Sequence, residues 1–341
     1  MSSAIPVHEL DLPRIDFTPD LDRDARMRSI ADARTVHWLA QGMIGYAVTN
    51  YDDIVAILRD KRWHSAAGLV AELSGVEDPE FRNARRESIL SAEGDVHTRL
   101  RRLVAPAFSP RAADRLRPYM REVMSGLIDA VAPKGRCEVV NAICEPYPIP
   151  IICELLGAPK EDWQRFSQWA TDLLRIFNFD LRNEYKLVMQ ASRELDEYSS
   201  RLIEQRRRVP ADDLLTALIA AEEAGDRLSH EELLTMVNAV IVGGTDTTRN
   251  QLACCLALFT AHPEQWSLLA ERPELAPRAV EETMRYLGAI RGTLRIASED
   301  IEYKGVHFPK GTFMGLPTAA ANRDPAVWSE PDHFDITREP S

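Results

Sequence analysis

The sequence predicts a mainly α-helical protein with a minor β-sheet. Three observations carry this prediction. Apolar residues recur at helical spacing through most of residues 95–286. The run 229–261 is long enough for one helix of roughly 50 Å. Short apolar runs separated by glycine-containing turns follow between residues 301 and 316, where they indicate strands.

The sequence of the N-terminal part predicts an irregular lead-in followed by short strands and a helix. Residues 1–35 are charged and lack a clear period, and a single domain is expected over residues 36–341. Asn50 is placed to cap a helix over residues 51–60. The sheet is expected to combine strands at 36–40 and 44–49 with C-terminal strands. Residues 64–92 have no period and predict a long loop.

The remaining elements follow from periodicity and stop signals. Ser229 and Glu232 have the spacing of a capping box at the start of the central helix, with Leu228 and Leu233 as its hydrophobic staple. Further helices are predicted at 95–108, 111–132, 149–156, 161–177, 187–208, 212–223, 263–270 and 276–286, and strands at 301–303, 306–308 and 313–316.

Composition and charge exclude several classes of protein. The 41 basic and 53 acidic residues give a formal net charge of −12, which argues against nucleic acid or an anionic membrane as main partner. No segment approaches about 20 uninterrupted apolar residues, and the start lacks the basic and apolar regions of a signal peptide, so a cytoplasmic protein is expected. The five cysteines match no zinc or redox spacing and predict reduced thiols without a metal site: Cys137, Cys144, Cys153, Cys254 and Cys255.

The stretch 243–248, Gly-Gly-Thr-Asp-Thr-Thr, is unfavourable in the middle of an apolar helix. Each glycine costs a helix interior ~1 kcal/mol relative to alanine. Gly243 and Gly244 therefore indicate close approach of another body, or a local break in the helix. Asp246 and Thr247 form an acid–hydroxyl pair that can pass protons to a bound oxygen species. The structural alternative is a polar pair satisfied by the helix's own carbonyl groups.

Two further pairs share a helix face. Glu282 and Arg285 are three residues apart, although Glu281 competes for the same arginine at four-residue spacing. His97 and Arg101 lie one helical turn apart and present a cationic face that suits carboxylates. For both pairs the alternative is an ordinary charged helix surface.

Taken together and in this order, the motifs resemble those of the cytochrome P450 family, of the soluble bacterial type. Residues 243–248 resemble the oxygen-binding groove of its long central helix, and Glu282-Thr283-Met284-Arg285 its Glu-x-x-Arg motif. The segments 97–101, 295–297, 320–325 and 331–334 are similar to its haem-propionate and core-closing segments.

The resemblance implies a monooxygenase that inserts one oxygen atom from O2 into an apolar small molecule. It implies haem b as cofactor, with a ferredoxin and its reductase as electron donors. Asp246 and Thr247 would deliver protons, His97, Arg101 and Arg295 would bind the haem propionates, and Gly243 and Gly244 would give the macrocycle access to the helix. Glu282, Arg285 and His333 would form the structural core. Residues 64–92, Phe177, Phe179, the start of the central helix and residues 287–294 would line the substrate pocket.

The family's Phe-x-x-Gly-x-x-x-Cys-x-Gly loop, which carries the axial cysteine, does not occur in this sequence. Two hypotheses follow. The chain is a C-terminally truncated monooxygenase, inactive on its own and binding haem weakly or not at all, or it is a haem-free scaffold that activates a partner enzyme. The residues Asp246, Thr247, His97 and Arg101 favour the first hypothesis, because a scaffold has no need of them.

Overall fold

The computed structural model describes residues 4–15, 22–69, 73–83, 88–177, 181–223 and 228–339. The α-helices are α1 Arg23–Val36, α2 Tyr51–Arg59, α3 Pro79–Asn83, α4 Gly94–Val104, α5 Pro110–Val131, α6 Pro148–Leu156, α7 Trp163–Leu174, α8 Leu181–Arg208, α9 Leu214–Glu223, α10 His230–Ala261, α11 Pro263–Glu271, α12 Ala276–Leu287 and α13 Thr318–Ala321. The strands are β1 Ile5–Pro6, β2 Leu39–Gln41, β3 Tyr46–Val48, β4 Trp63–Ser65, β5 Thr293–Ala297, β6 Ile301–Tyr303, β7 Val306–Phe308 and β8 Phe313–Leu316.

The chain forms two compact units, one made of residues 1–66 with 254–341 and the other of residues 67–253. The first unit contains both sheets, with strand orders β1-β7-β6 and β2-β3-β8-β5-β4. In the larger sheet β3 pairs with β8 in parallel, so that an N-terminal strand and a C-terminal strand share one core. The predicted combination of N-terminal and C-terminal strands is confirmed.

The second unit is helical, and its core is an apolar cluster shared by α6, α7, α8, α9 and the first part of α10. The predicted capping box is present at the start of α10. The Glu232 carboxylate accepts a hydrogen bond from Ser229 N at 2.8 Å, and Glu232 N donates to Ser229 Oγ at 3.2 Å. Leu228 and Leu233 are both buried in the cluster, as the staple requires.

Several predictions about the N-terminal part were wrong. The lead-in 1–35 was expected to be irregular, but it contains α1, whose first turn is capped by the Asp22 side chain accepting from Ala25 N at 2.7 Å. The supposed loop 64–92 includes the end of β4 and the short helix α3. The single domain expected over residues 36–341 stays a prediction. Along the described ranges, no helix combines the length and the apolar character needed to cross a membrane.

Asp53 is a buried acid that ties α2 to the sheet in the first unit. Its side chain accepts hydrogen bonds from Tyr303 Oη at 2.6 Å, Lys304 Nζ at 2.8 Å and Asn50 Nδ2 at 2.7 Å. Burial acts to raise the pKa of Asp53, but these hydrogen bonds outweigh it and hold the pKa below the ordinary value. The ionised form is therefore the one that stabilises the fold.

Because this pKa is lowered by folding, its contribution is complete above the unfolded value of about 4 and is lost as the pH falls through the folded value. We expect Asp53→Asn to cost about 1–3 kcal/mol at pH 7 and to flatten the loss of stability below about pH 4. Urea unfolding at several pH values measures both effects. Asp52→Asn, at the exposed neighbouring position, is the control. Equal pH slopes for wild type and Asp53→Asn would contradict this account.

Candidate functional site

The helix α10 runs through residues 243–248 without interruption in the described chain. The hydroxyl groups of this stretch bond to the helix itself, because Thr245 Oγ1 donates to Ile241 O at 2.6 Å and Thr247 Oγ1 to Gly243 O at 2.8 Å. Thr245 is buried and Thr247 is exposed. The local break in the helix, one of the two explanations for the glycines, is therefore wrong. The Thr247 hydroxyl bonds to a carbonyl group of its own helix, as in the alternative to a role in proton transfer.

The two glycines differ in how closely neighbouring side chains approach them. A Cβ atom at Gly244 would lie 2.2 Å from Cδ1 and 2.6 Å from Cγ1 of Ile152, so that this glycine is required by the packing of α6 on α10. A Cβ atom at Gly243 would meet no atom of the described residues within 4 Å. For Gly244 the packing against Ile152 is a further reason for a glycine, and the expectation that both glycines give a ligand access to the helix stays a prediction.

This difference predicts opposite effects of the same substitution. Gly243→Ala should stabilise the chain by about 0.5–1 kcal/mol, because alanine favours the helix and meets no neighbour. Gly244→Ala should destabilise it, because overpacking against Ile152 costs about 1–3 kcal/mol and exceeds the gain in propensity. Urea unfolding of both variants tests the order, and Ile152→Val should relieve part of the loss at Gly244→Ala. The reverse order of stability would contradict this account.

Asp246 is one-fifth exposed, and both of its carboxylate oxygens are engaged. Arg249 Nη2 lies 2.5 Å from Oδ1, and Asn250 Nδ2 donates to Oδ2 at 3.0 Å. The acid thus lies next to Thr247 on α10 but is bound by residues one turn further along the helix. Sequence reasoning did not identify Arg249, although its three-residue spacing from Asp246 was a signal for it.

The cationic face of α4 lies in the same unit. Arg99 forms a bidentate pair with Glu232 at the start of α10, with distances of 2.5 and 3.1 Å. His97 is half-buried and Arg101 is exposed. Among the residues that the structure describes, none forms a hydrogen bond or ion pair with either of these two side chains, so no described residue competes with an anionic ligand for them.

In the first unit, Glu282 and Arg285 form a buried bidentate ion pair on α12. The Glu282 oxygens lie 2.7 and 2.8 Å from Arg285 Nε and Nη2. The guanidinium also donates to the carbonyl oxygens of Asn322 at 2.9 Å, Pro331 at 2.7 Å and His333 at 3.0 Å. The three guanidinium nitrogens of Arg285 therefore join Glu282 to the C-terminal coil.

The register of this pair is settled, because Glu282 is buried and Glu281 is exposed. His333 contacts the pair through its backbone carbonyl, while its side chain is exposed. Two partners were missed by sequence reasoning. Asp335 N donates to Glu282 at 2.9 Å, and Arg338 Nε lies 3.2 Å from the same carboxylate.

Arg295 lies on β5, a strand that sequence reasoning did not assign. Its Nη1 donates to Thr293 Oγ1 at 3.1 Å and to Leu294 O at 3.4 Å. Its predicted role at a propionate stays a prediction, as does the lining of the substrate pocket. Phe179, one of those lining residues, lies outside the described residues, and Phe177 is exposed.

Comparisons with known proteins give the class of this chain. It is 37% identical to nocardicin C N-oxygenase of Nocardia uniformis subsp. tsuyamanensis, over 86% of this chain and 73% of that protein. It is 34% identical to luteothin monooxygenase of Streptomyces thioluteus, over 96% of this chain and 80% of that protein. The class is that of the bacterial monooxygenases.

The family follows from the same comparisons. Residues 160–338 match the cytochrome P450 family. The crystal structure of CalO2 superimposes with a TM-score of 0.87 at 28% identity, covering 97% of this chain and 83% of that one. P450BioI, in complex with an acyl carrier protein ligated to hexadec-9Z-enoic acid, gives 0.83 at 32% identity, covering 93% and 83%. The chain belongs to the cytochrome P450 family, whose enzymes are monooxygenases with a haem cofactor, and the predicted family, fold and enzyme class are confirmed.

The residues of this chain fit the carboxylate-binding part of a haem site but not its iron-binding part. His97 and Arg101 on α4 suit the haem's carboxylates, and the open face at Gly243 leaves room beside α10. An iron-binding cysteine must be ionised, however, and burial raises the pKa of Cys153 to about 12 and raises that of Cys255. Cys144 is buried as well, and Cys137 is exposed on the surface. In the described ranges, no group of three or more His, Cys, Asp or Glu side chains could hold a metal ion.

Proposed function

We propose that this chain supplies the oxygen-activating side of a haem-dependent monooxygenase acting on an apolar small molecule. The observation that carries the proposal is that no described residue pairs with His97 or Arg101, although their helix is fixed to α10 by the Arg99–Glu232 pair. A charged face held in one place without a protein partner is suited to an anionic ligand. When bound, the haem supplies the redox chemistry that activates oxygen.

The chain's own residues then have separate tasks. His97 and Arg101 bind and orient the carboxylates of the cofactor. Asp246 and Thr247 hold a proton beside the open face at Gly243, where an acid and a hydroxyl lie on successive residues of α10. Glu282 and Arg285, with the carbonyl of His333, hold the C-terminal coil in place. None of the five cysteines lies in the axial-cysteine loop that the family resemblance implies, so these residues bind haem only weakly by themselves.

The substrate class and the electron donor rest on weaker support. The relatives include enzymes named for the oxidation of nocardicin C and luteothin, and P450BioI is seen with a fatty acyl carrier protein. The fatty acyl group seen with P450BioI supports a largely apolar substrate for this chain as well. A ferredoxin with its reductase is the donor that the family resemblance implies.

A turnover assay tests the proposal on the chain as it exists. The protein is loaded with haem, a small alkanethiol is added to supply the missing thiolate, and ferredoxin, reductase, NADH and dodecanoic acid are provided. We expect an oxidised fatty acid in the presence of the thiol, and roughly 100-fold less of it in the Asp246→Asn variant. Haem bound one-to-one with no oxidised product would contradict the proposal and favour the scaffold hypothesis.

A further inference from the structure

The guanidinium of Arg249 is shared between two carboxylates of the second unit. Its Nη2 lies 2.5 Å from Asp246 Oδ1, and its Nη1 lies 3.7 Å from Glu145 Oε1. The Arg249 side chain is 15% exposed, so the two ion pairs are largely shielded from water. The closer carboxylate is the one on its own helix, and the more distant one belongs to the segment that precedes α6.

The surroundings hold this arrangement on both sides. Arg249 donates to Thr171 Oγ1 at 3.0 Å and to Ser167 Oγ at 3.4 Å, both on α7. Ser167 Oγ in turn donates to Glu145 Oε1 at 2.5 Å. Glu145 is therefore held beside the arginine by a hydroxyl rather than by a full ion pair. A small movement of the guanidinium would exchange one carboxylate for the other.

We propose that Arg249 is the positioning residue of Asp246, and that Glu145 is the alternative acceptor which releases Asp246. The proposal rests on the proposed function, in which Asp246 handles a proton. While Arg249 pairs with Asp246, the carboxylate is bound to a residue one turn further along the same helix. When the guanidinium moves to Glu145, Asp246 Oδ1 loses its counter-ion and becomes free to take up a proton. The two acids share one cation, Asp246 through Nη2 and Glu145 through Nη1, so a shift of the guanidinium toward one acid weakens its pair with the other.

An infrared experiment on the chain as it exists tests the first step. Aspartate is labelled with 13C at the side-chain carboxyl, and the wild-type minus Asp246→Asn difference spectrum isolates the band of Asp246. In Arg249→Gln we expect this band to shift to the position of a water-exposed carboxylate. In Arg249→Lys we expect most of the wild-type position to be retained, because the charge is kept. An unchanged band in Arg249→Gln would overturn the proposal.

Arg175→Gln is the matched control. Arg175 also pairs with an aspartate three residues before it, Asp172 at 2.8 Å, and lies in the same unit. Its loss should lower Tm without moving the Asp246 band. A shift of the band in this control would show that the signal reports general loosening, and it would overturn the assignment to Arg249.

Thermal unfolding tests the competition. We expect Arg249→Gln to lower Tm by roughly 2–4 °C, because it leaves two carboxylates without their cation. Adding Glu145→Gln to that variant should recover part of the loss, and adding Asp246→Asn should lower Tm no further than the larger single change. Strictly additive shifts in both combinations would overturn the competition. Neither readout uses haem or turnover, so the two proposals can fail separately. If the Asp246 band shifts as expected but no oxidised product forms, the proposed function fails. If product forms but the band is unchanged in Arg249→Gln, this proposal fails.

Discussion

Replacing Arg285 with alanine is expected to lower the free energy of unfolding by about 3–5 kcal/mol, which is enough to prevent folding of many proteins of ordinary stability. The change removes the only guanidinium within bonding distance of both Glu282 oxygens in the described chain, and it leaves three carbonyl groups of the C-terminal coil without their donor. Breaking a buried ion pair costs more than the pair contributes, because among the described cations the buried Glu282 charge then keeps only Arg338 Nε, 3.2 Å from one of its oxygens. Urea unfolding of the soluble protein is the measurement.

Two further variants keep this prediction testable if Arg285→Ala does not fold. Arg285→Lys keeps the charge but not the planar fork that reaches five acceptors, so a smaller but clear loss is expected. Arg278→Ala is the control on the same helix, since Arg278 is 39% exposed and pairs with Glu339 at the surface. Its expected cost is at most about 1 kcal/mol. A loss at Arg278→Ala equal to that at Arg285→Lys would contradict the account.

Reversing the charge of Arg101 is expected to weaken haem binding by roughly 10-fold to 100-fold. A hydrogen bond to a charged group contributes about 1.5–3 kcal/mol, and each 1.4 kcal/mol is a factor of ten in Kd. In Arg101→Glu the favourable cation is also replaced by an anion that repels the cofactor's carboxylates. Titration of the apoprotein with haem, followed by absorbance, gives Kd for the wild type and the variant.

Arg102→Glu is the matched control, because Arg102 is also exposed on α4 but is five residues from His97 and points away from the shared face. Its Kd for haem should stay within about twofold of the wild type. If Arg102→Glu weakened binding as much as Arg101→Glu, the effect would come from overall charge. The cationic face would then not be the binding site.

The sequence was a good guide wherever the controlling interactions are local. The capping box at Ser229 and Glu232 and the end of a helix at residue 156 depend on residues a few positions apart, and both occur as predicted. Spacing and the family motif predict that Glu282 pairs with Arg285, and the burial of Glu282 shows that it, and not Glu281, is the partner. Local hydrogen bonds and periodicity are properties of a short segment, so they can be read from it.

The remaining features depend on residues far apart in the chain. The contact of Gly244 with Ile152 cannot be deduced from either residue's neighbours, although it decides why one of the two glycines is there. The strands β4 and β5 pair with each other across more than 200 positions. The helix α1 was missed because its sequence is mostly polar and buries only Ile30 and Ala33, although the Asp22 cap was a local signal for it.

The central claim is that this chain carries the propionate-binding and oxygen-activating residues of a cytochrome P450, while none of its five cysteines can serve as the axial ligand. The most direct test is the reduced carbon monoxide difference spectrum of the 341-residue chain mixed with one equivalent of haem, without added thiol. We predict that haem binds weakly and that no thiolate-type band is seen. A stable one-to-one complex with a thiolate-type band would contradict the claim.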